Sequence, residues 1–430
     1  MKISTGTPLH ELTPFLISSI RPPTENSSLA FRLTKNCYWN KCAFCPVYKT
    51  GSKFEIRPIN EVLADIASAK EIDDAMFDSG IGFPVYSSAD YSRAHSFIGA
   101  VQRAKWESGL IDLPRETPLD SSPDAAMRWF SSWFIDRPDF SDCVQHLLAW
   151  RISGARTCFL GDADSLILKP EYIETVTSAV KRNFPSVERF TIYGRTKSAA
   201  RREAPRVLKR FAKAGISRVH FGLESGSDRV LNLISKGETS EDHIKGCLNV
   251  KNAGISCSVY VMPGLGGAAL SETHAAETSA VLNKISPDFV RLRTLKIFSG
   301  SPLEKLRDDG AFAEADEETV IREIRVLINS LTCSTAIVSD SAVNLLCING
   351  NLPEDKQLML NEIDNYLAKT VREKLLYSFS SRLDSFMGQY GEMPEDLAAE
   401  LGSLLPKKLT DADDESLKKA ALLLRSRLMP

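Results

Sequence analysis

FTIYGRTKSAARREAPRVLKRFAKAGISRVHFGLE, residues 190–224, reads as strand, helix, strand. Phe190–Tyr193 and Arg218–Leu223 are short apolar runs of strand type. Between them Glu203–Ala214 is helical, and Gly215 ends the helix at the position just past its last turn. Strand, helix and strand within about thirty residues make a βαβ unit, whose strands pair in parallel.

The alternation continues in both directions. Upstream, Ala155–Leu160 is a strand that ends in Gly161-Asp162, and Glu171–Arg182 is a helix closed before Pro185. Downstream come helical stretches at Asp228–Ile234 and Ser240–Ala253, the second followed by Gly254. Ser256–Met262 is a strand ending at Pro263-Gly264, Ser271–Asn283 a helix and Phe289–Ile297 a strand. Nearer the N-terminus, Leu29–Thr34 is a strand and Ile59–Ala69 a helix. About six βα units result, with no sequence repeat beyond the pattern. The fold class is α/β, and the ligand face of such a sheet lies at the C-terminal strand ends.

Two segments break the alternation. Residues 73–150 hold four of the five tryptophans, Trp106, Trp129, Trp133 and Trp150. Pro114–Pro123 reads as a loop there, flanked by helical patterns at Tyr91–Trp106 and Pro123–Phe134. Trp129, Phe130, Trp133 and Phe134 form a stripe at helical spacing, the pattern of a core face or of an aromatic pocket wall. Residues 306–430 carry helical patterns at Glu317–Leu331, Pro353–Ala368 and Asp414–Leu428. The expected organisation is an N-terminal segment 1–27, a core barrel from 28–72 and 151–305, an aromatic-rich insertion 73–150 and a helical extension 306–430.

Composition sets outer bounds. The 430 residues are 43% hydrophobic and 25% charged, with a net charge of −2. That balance argues against a protein that binds nucleic acid or membranes through bulk charge, and leaves room for a local basic groove. No run of about 18 apolar residues suggests a membrane span. Met1–Pro23 lacks the basic and apolar regions of a secretory signal. Nine cysteines without such a signal point to a reducing compartment, and cytoplasmic location is the expectation.

The chemistry concentrates in Arg32-Leu33-Thr34-Lys35-Asn36-Cys37-Tyr38-Trp39-Asn40-Lys41-Cys42-Ala43-Phe44-Cys45-Pro46. Three thiols within nine residues follow a strand. Soft thiolates select zinc, copper(I) or iron–sulfur clusters. A four-iron cubane held by three cysteines keeps one iron open for an outside ligand. Zinc would want a fourth ligand, and the nearest downstream histidine is His95. A four-cysteine cluster using a distant thiol is the other alternative.

A strand, a three-cysteine loop with Phe44 before the last cysteine, and a βα barrel together resemble the radical S-adenosylmethionine (SAM) superfamily. The usual spacing there is three residues and then two; here it is four and then two. A subgroup of uncharacterised members shares the longer gap. This chain resembles that subgroup further in Asn40-Lys41-Cys42, in Tyr48…Phe54-x-Ile56-Arg57, and in the tail Asn344-Leu345-Leu346…Asn351-Leu352-Pro353-Glu354-Asp355-Lys356. The resemblance covers roughly residues 28–305 without the insertion. It implies a partial (β/α)6 TIM-like barrel with an inserted helical subdomain and a helical C-terminal extension. It also implies a [4Fe–4S] cluster on Cys37, Cys42 and Cys45 whose open iron binds SAM.

The resemblance further implies where SAM contacts fall. Gly161, Asp162 and Asp164 follow the second strand, where the ammonium group would bind, although at least one of these acids is expected to cap the next turn. Glu224 lies in Phe221-Gly222-Leu223-Glu224-Ser225-Gly226-Ser227-Asp228, similar to a signature of several subgroups, with Ser227 or Asp228 as helix cap. Gly264 belongs to the glycine run after the fifth strand, beside the adenine. Arg291 and Arg293 share one face of the sixth strand. They and Arg195, after the third, are candidates for a carboxylate clamp or for ordinary ion pairs. His274 reads as structural. No catalytic residue is assigned.

The expected function is a radical SAM enzyme that cleaves SAM reductively and takes hydrogen from a small organic substrate. An electron donor such as flavodoxin or ferredoxin would serve it, and neither membrane nor DNA is expected as a partner. The alternatives are a cluster-bearing binding protein on the same fold, such as a haem chaperone or redox sensor, and a radical SAM enzyme that modifies RNA or protein.

Overall fold

The computed structural model describes residues 7–18, 20–49, 53–82, 85–110 and 139–429. The helical pattern Pro123–Phe134, the loop Pro114–Pro123 and the stripe of Trp129, Phe130, Trp133 and Phe134 lie outside the described residues.

Eight strands form one sheet in the order in which they occur along the chain: β1 (Leu29–Arg32), β4 (Thr157–Gly161), β5 (Arg189–Gly194), β6 (Ile216–Glu224), β7 (Ser256–Val261), β8 (Phe289–Leu292), β9 (Thr335–Val338) and β10 (Gly350–Leu352). All neighbours pair in parallel except β9 and β10. The fold is a mixed α/β partial barrel of radical SAM type with helical additions. A small antiparallel ribbon, β2 (Thr34–Lys35) with β3 (Glu55–Ile56), brackets the cysteine loop.

Helices return the chain between parallel strands: α1 (Ile59–Asp78), α2 (Asp90–Glu107), α3 (Phe140–Ile152), α4 (Pro170–Asn183), α5 (Thr196–Ala199), α6 (Ala204–Ala214), α7 (Asp228–Leu233), α8 (Ser240–Asn252) and α9 (Gly267–Ile285). Helix α6 ends at Gly215, whose φ of 107° is the left-handed conformation the sequence requires there. Thr239 and Asp242 close a reciprocal capping box on α8. Downstream lie α10 (Pro302–Asp308), α11 (Glu317–Ser330), α12 (Lys356–Leu367), α13 (Val371–Tyr390), α14 (Glu395–Leu404) and α15 (Asp414–Arg427).

Alternation along the strands separates two surfaces. Phe31, Leu160, Ile192, Val219, Val259 and Val290 join the main hydrophobic core against the helices. Helices α2 and α3 add Phe97, Val101, Val144 and Trp150 to that same core. The alternate residues are polar or aromatic. Phe159, Tyr193, His220 and Tyr260, on four successive strands, meet edge to face or tilted, with ring centroids 5.2, 5.9 and 6.4 Å apart. The tail helices α13, α14 and α15 enclose a separate small core around Phe379, Phe386, Leu397 and Leu424.

Two expectations differ. The sixth strand ends at Leu292 rather than Ile297, because Thr294 and Leu295 leave the ladder: Thr294 N–H donates to Asn344 Oδ1 and Leu295 N–H to the Pro263 carbonyl. Strands β9 and β10 extend the sheet beyond six.

Candidate active site

The loop after β1 carries the three cysteines at the C-terminal end of the sheet, as the sequence indicates. Several contacts pin it to neighbouring strand-end loops. Ala43 N–H donates to the Ile234 carbonyl at 2.8 Å, and Leu303 N–H donates to the Ala43 carbonyl at 3.0 Å. Trp39 Nε1 donates to the Ser235 carbonyl at 2.8 Å. Gly237, at φ 68°, lies flat against this ring: an added Cβ would sit 2.0 Å from Trp39 Cζ2, so only glycine fits.

Beneath the loop lies a buried quartet of charges. Lys236 is 3.3 Å from Glu224 and 3.7 Å from Glu238, and Arg195 is 3.4 Å from Glu238. Arg195 also donates to the Lys236 carbonyl at 2.6 Å and lies against the rings of Tyr38 and Trp39. Two cations and two anions balance, which is the condition for burying them at all. Burial disfavours the charge on Lys236, but Glu224 and Glu238 outweigh it and hold Lys236 above the usual lysine range. Burial likewise pushes Glu238 upward, and Lys236 with Arg195 bring it below the usual range. Glu224 adopts φ 65°, uncommon for a residue with a side chain; its carbonyl accepts from Met262 N–H at 2.9 Å, which ties β6 to the end of β7.

The remaining expected contacts are already engaged within the chain. Asp162 pairs with Arg32 at 2.7 Å and accepts from Ser18 Oγ at 3.0 Å. A Cβ on Gly161 would meet Ser18 Oγ at 2.0 Å, so the N-terminal segment occupies that close approach. Asp164 accepts from Leu166 N–H at 3.2 Å as the expected cap, and from Ser198 Oγ at 2.6 Å; burial pushes it up to about 6. Gly264 N–H donates to Glu323, which also accepts from Ser271. Burial pushes Glu323 up to about 7 and lowers His274 to about 4. His274 is structural: its Nδ1 is 2.8 Å from Ser225 Oγ and its Nε2 3.2 Å from the Met262 carbonyl. Arg291 spans Asp340, Thr24 and Ser258. Arg293 lies just past β8, close enough to Tyr193 and Tyr260 to counter part of the rise that burial imposes on both phenols. Neither Ser227 nor Asp228 caps its own helix; Asp228 accepts from Ser240 N–H at 2.7 Å, at the start of α8.

The cofactor expectation requires correction. Among the described residues no group of three or more His, Cys, Asp or Glu is arranged to hold a metal ion. The thiols of Cys37, Cys42 and Cys45 lie on one loop without converging into a ligand set. Asn36 and Asn40 both take left-handed φ values, 63° and 42°, turning the chain on either side of Cys37 and ahead of Cys42. Burial also pushes the Cys42 thiol up and the Cys45 thiol up to about 11. The [4Fe–4S] assignment and the metal-binding role therefore do not hold in this arrangement. SAM, which was to be anchored on the open iron, loses that anchor.

Sequence reading missed Lys236, Glu238 and Trp39. The signal was Ser235-Lys236-Gly237-Glu238-Thr239 between two helical stretches: charges flanking a glycine, on a loop at the ligand face.

Residues 133–277 match the model of the Radical SAM superfamily. Two curated relatives match over 118 residues, or 27% of this chain. They are the tRNA uridine(34) acetyltransferases of Methanocaldococcus infernus, 27% identical, and Methanocaldococcus jannaschii, 25% identical. The match spans about a fifth of their length, 22% of each. The solved structure of Methanocaldococcus infernus Elp3 is similar with 18% identity and a TM-score of 0.37, over 50% of this chain and 55% of that one. A radical SAM domain is therefore present, and the protein is an enzyme of radical SAM type. No described helix is long and apolar enough to cross a membrane.

Proposed function

We propose that this radical-SAM-type enzyme modifies a base in RNA rather than a free small molecule. The observation that carries the proposal is the rim of the site. Residues 35–55 hold Lys35, Lys41, Lys49 and Lys53 against Glu55 alone, in a chain of net charge −2. Aromatic side chains interleave with them: Tyr38 and Phe54 meet edge to face at 6.0 Å, and Lys41 Nζ is 5.2 Å from the Trp39 ring centre. Cations that track phosphates and rings that stack on bases are how proteins hold single-stranded nucleic acid. The partial similarity to tRNA-modifying proteins supports the same substrate class.

The chain's own residues divide the work. The quartet of Arg195, Lys236, Glu224 and Glu238 is neutral overall, so the floor of the mouth is a rigid polar surface rather than a charged one. The positive field comes from the rim lysines, which draw in the phosphate backbone. Arg195, fixed by Glu238 and the Lys236 carbonyl, holds the Tyr38 and Trp39 rings in place.

The test is a nucleoside inventory. RNA from cells lacking the gene and from complemented cells is digested and compared by mass spectrometry. The proposal expects one modified nucleoside that disappears with the gene and returns with it. An unchanged RNA inventory together with an altered small-molecule pool contradicts it, and no change in either pool favours the binding-protein alternative.

A further inference from the structure

The strongest unassigned feature begins where β5 ends. Between residues 195 and 218 the chain holds nine Lys and Arg against one acid, Glu203. Arg210 is neutralised by Glu171 and Glu174, at 2.5 and 2.7 Å. Arg201, Arg202, Arg206, Lys209 and Lys213 are exposed, and among the described residues none has a carboxylate partner. Arg206, Lys209 and Lys213 recur at intervals of three and four, which places them on one face of α6, and Arg202 stands on the turn just before it. Arg201 and Arg202 sit on the turn at the mouth end of the sheet, and α6 leads the stripe away from the mouth for about 15 Å.

Beside this turn, between the starts of α4 and α6, lies a cavity of about 170 Å³. Leu168, Pro170, Ala204 and Val207 make its walls apolar, and Lys169 and Arg201 stand among its lining residues with the single acid Glu203. It is smaller than the roughly 300–1,000 Å³ of sites that enclose a whole drug-sized ligand. An apolar slot of this size next to unpaired cations suits one planar ring attached to a phosphate.

We infer that the α6 stripe and this cavity form a second RNA subsite, separate from the mouth. The cations hold the phosphates of a single-stranded segment, and the cavity receives one unstacked base. Single-stranded loops offer splayed bases, whereas a duplex keeps its bases stacked and out of reach. The inference rests on the RNA reading above, and it adds a grip that sets how the substrate strand leaves the mouth.

Anisotropy titrations of the full chain with fluorescent bulk tRNA, over a range of salt, test it. Four variants are compared: Arg201→Glu/Arg202→Glu, Lys209→Ala/Lys213→Ala, Val207→Trp to fill the cavity, and Lys418→Glu/Lys419→Glu as an equal charge change on α15. Thermal melts confirm that each is folded. The stripe variants should weaken binding about tenfold or more and flatten the dependence of log K on log salt by about 0.7 for each phosphate no longer neutralised. Val207→Trp should weaken binding of the tRNA with the salt slope unchanged, and the α15 control should change it less than about twofold. If wild type binds tRNA and the stripe variants bind equally well, the second subsite is wrong and the RNA reading survives. If wild type does not bind tRNA, both fall.

Discussion

The two ends of the barrel bury the same kinds of side chain for different ends. At the N-terminal strand ends, Glu25 is fully buried against Arg189 at 3.0 Å, Ser28 Oγ at 2.6 Å and His220 at 3.7 Å. Thr24 reaches Arg291 at 2.9 Å. The segment before β1 thus closes this end as a plug. At the C-terminal ends, Arg195, Lys236, Glu224 and Glu238 form a floor under a loop that carries lysines and aromatic rings. Polar burial at the closed end serves stability; at the open end it fixes the surface to which the proposal assigns a ligand. The difference lies in what covers the charges, not in how many there are.

The largest effect should come from breaking the floor. Glu238→Ala leaves Arg195 and Lys236 to share one carboxylate in a buried site, and should cost about 3–5 kcal/mol in chemical denaturation. A cost below about 1 kcal/mol would show that water already reaches the quartet.

Single groups at the two ends, Glu323 and His220, should respond to pH with opposite sign. Near the mouth, burial raises Glu323 to about 7, above its ordinary value. Such a group contributes stability at low pH that is lost as pH rises through about 7. Glu323→Gln should therefore gain on the order of 2 kcal/mol over wild type between pH 5 and pH 8, read from paired melts. At the plug, burial lowers His220 from 6.5 to about 4. That contribution is present above pH 6.5 and lost as pH falls through about 4. Burial alone would raise Glu25, but the nearby His220 ring, the hydrogen bond from Ser28 and the charge of Arg189 hold it low, so its contribution disappears in acid as well. His243 and His274, buried behind the mouth and lowered to about 4, share the acid sign, so the comparison depends on the single variants.

Glu25→Gln comes next. It removes the charge-assisted bonds at the plug and should cost about 1–3 kcal/mol with RNA binding unchanged. Reduced RNA affinity in this variant would break the division between the two ends. Trp39→Ala should cost less in global stability but loosen the cysteine loop locally, raising the alkylation rate of Cys42 several-fold in a timed thiol-labelling assay. Lys41→Ala is the smallest change: within about 0.5 kcal/mol in stability, with a few-fold loss of tRNA affinity at low salt.

The sequence made the barrel legible because its strands and helices differ in period and because glycines such as Gly215 and Gly254 mark helix ends. The strand-end loops were legible as positions: Asp164, Arg195, Glu224 and Gly264 all fall at the ligand face. What each side chain does there was not. Asp162 is claimed by Arg32 and Ser18, residues more than a hundred positions away, and Gly264 by Glu323, which no local pattern connects to it. The cysteine spacing suggested a shared ligand set, but among the described residues the loop does not bring the thiols into one. The tail helices α13 and α14 were missed because each packs chiefly on α15, so their apolar faces answer to a separate small core.

Ultraviolet crosslinking of bulk tRNA to the full chain, with the attached peptides mapped by mass spectrometry, most directly tests the assignment of the open end to RNA. Crosslinks should concentrate in residues 35–53, with Trp39 the foremost site, and be absent from the plug around Arg189 and Arg218. Crosslinks at the plug, or none at the cysteine loop under conditions where tRNA is bound, would contradict it.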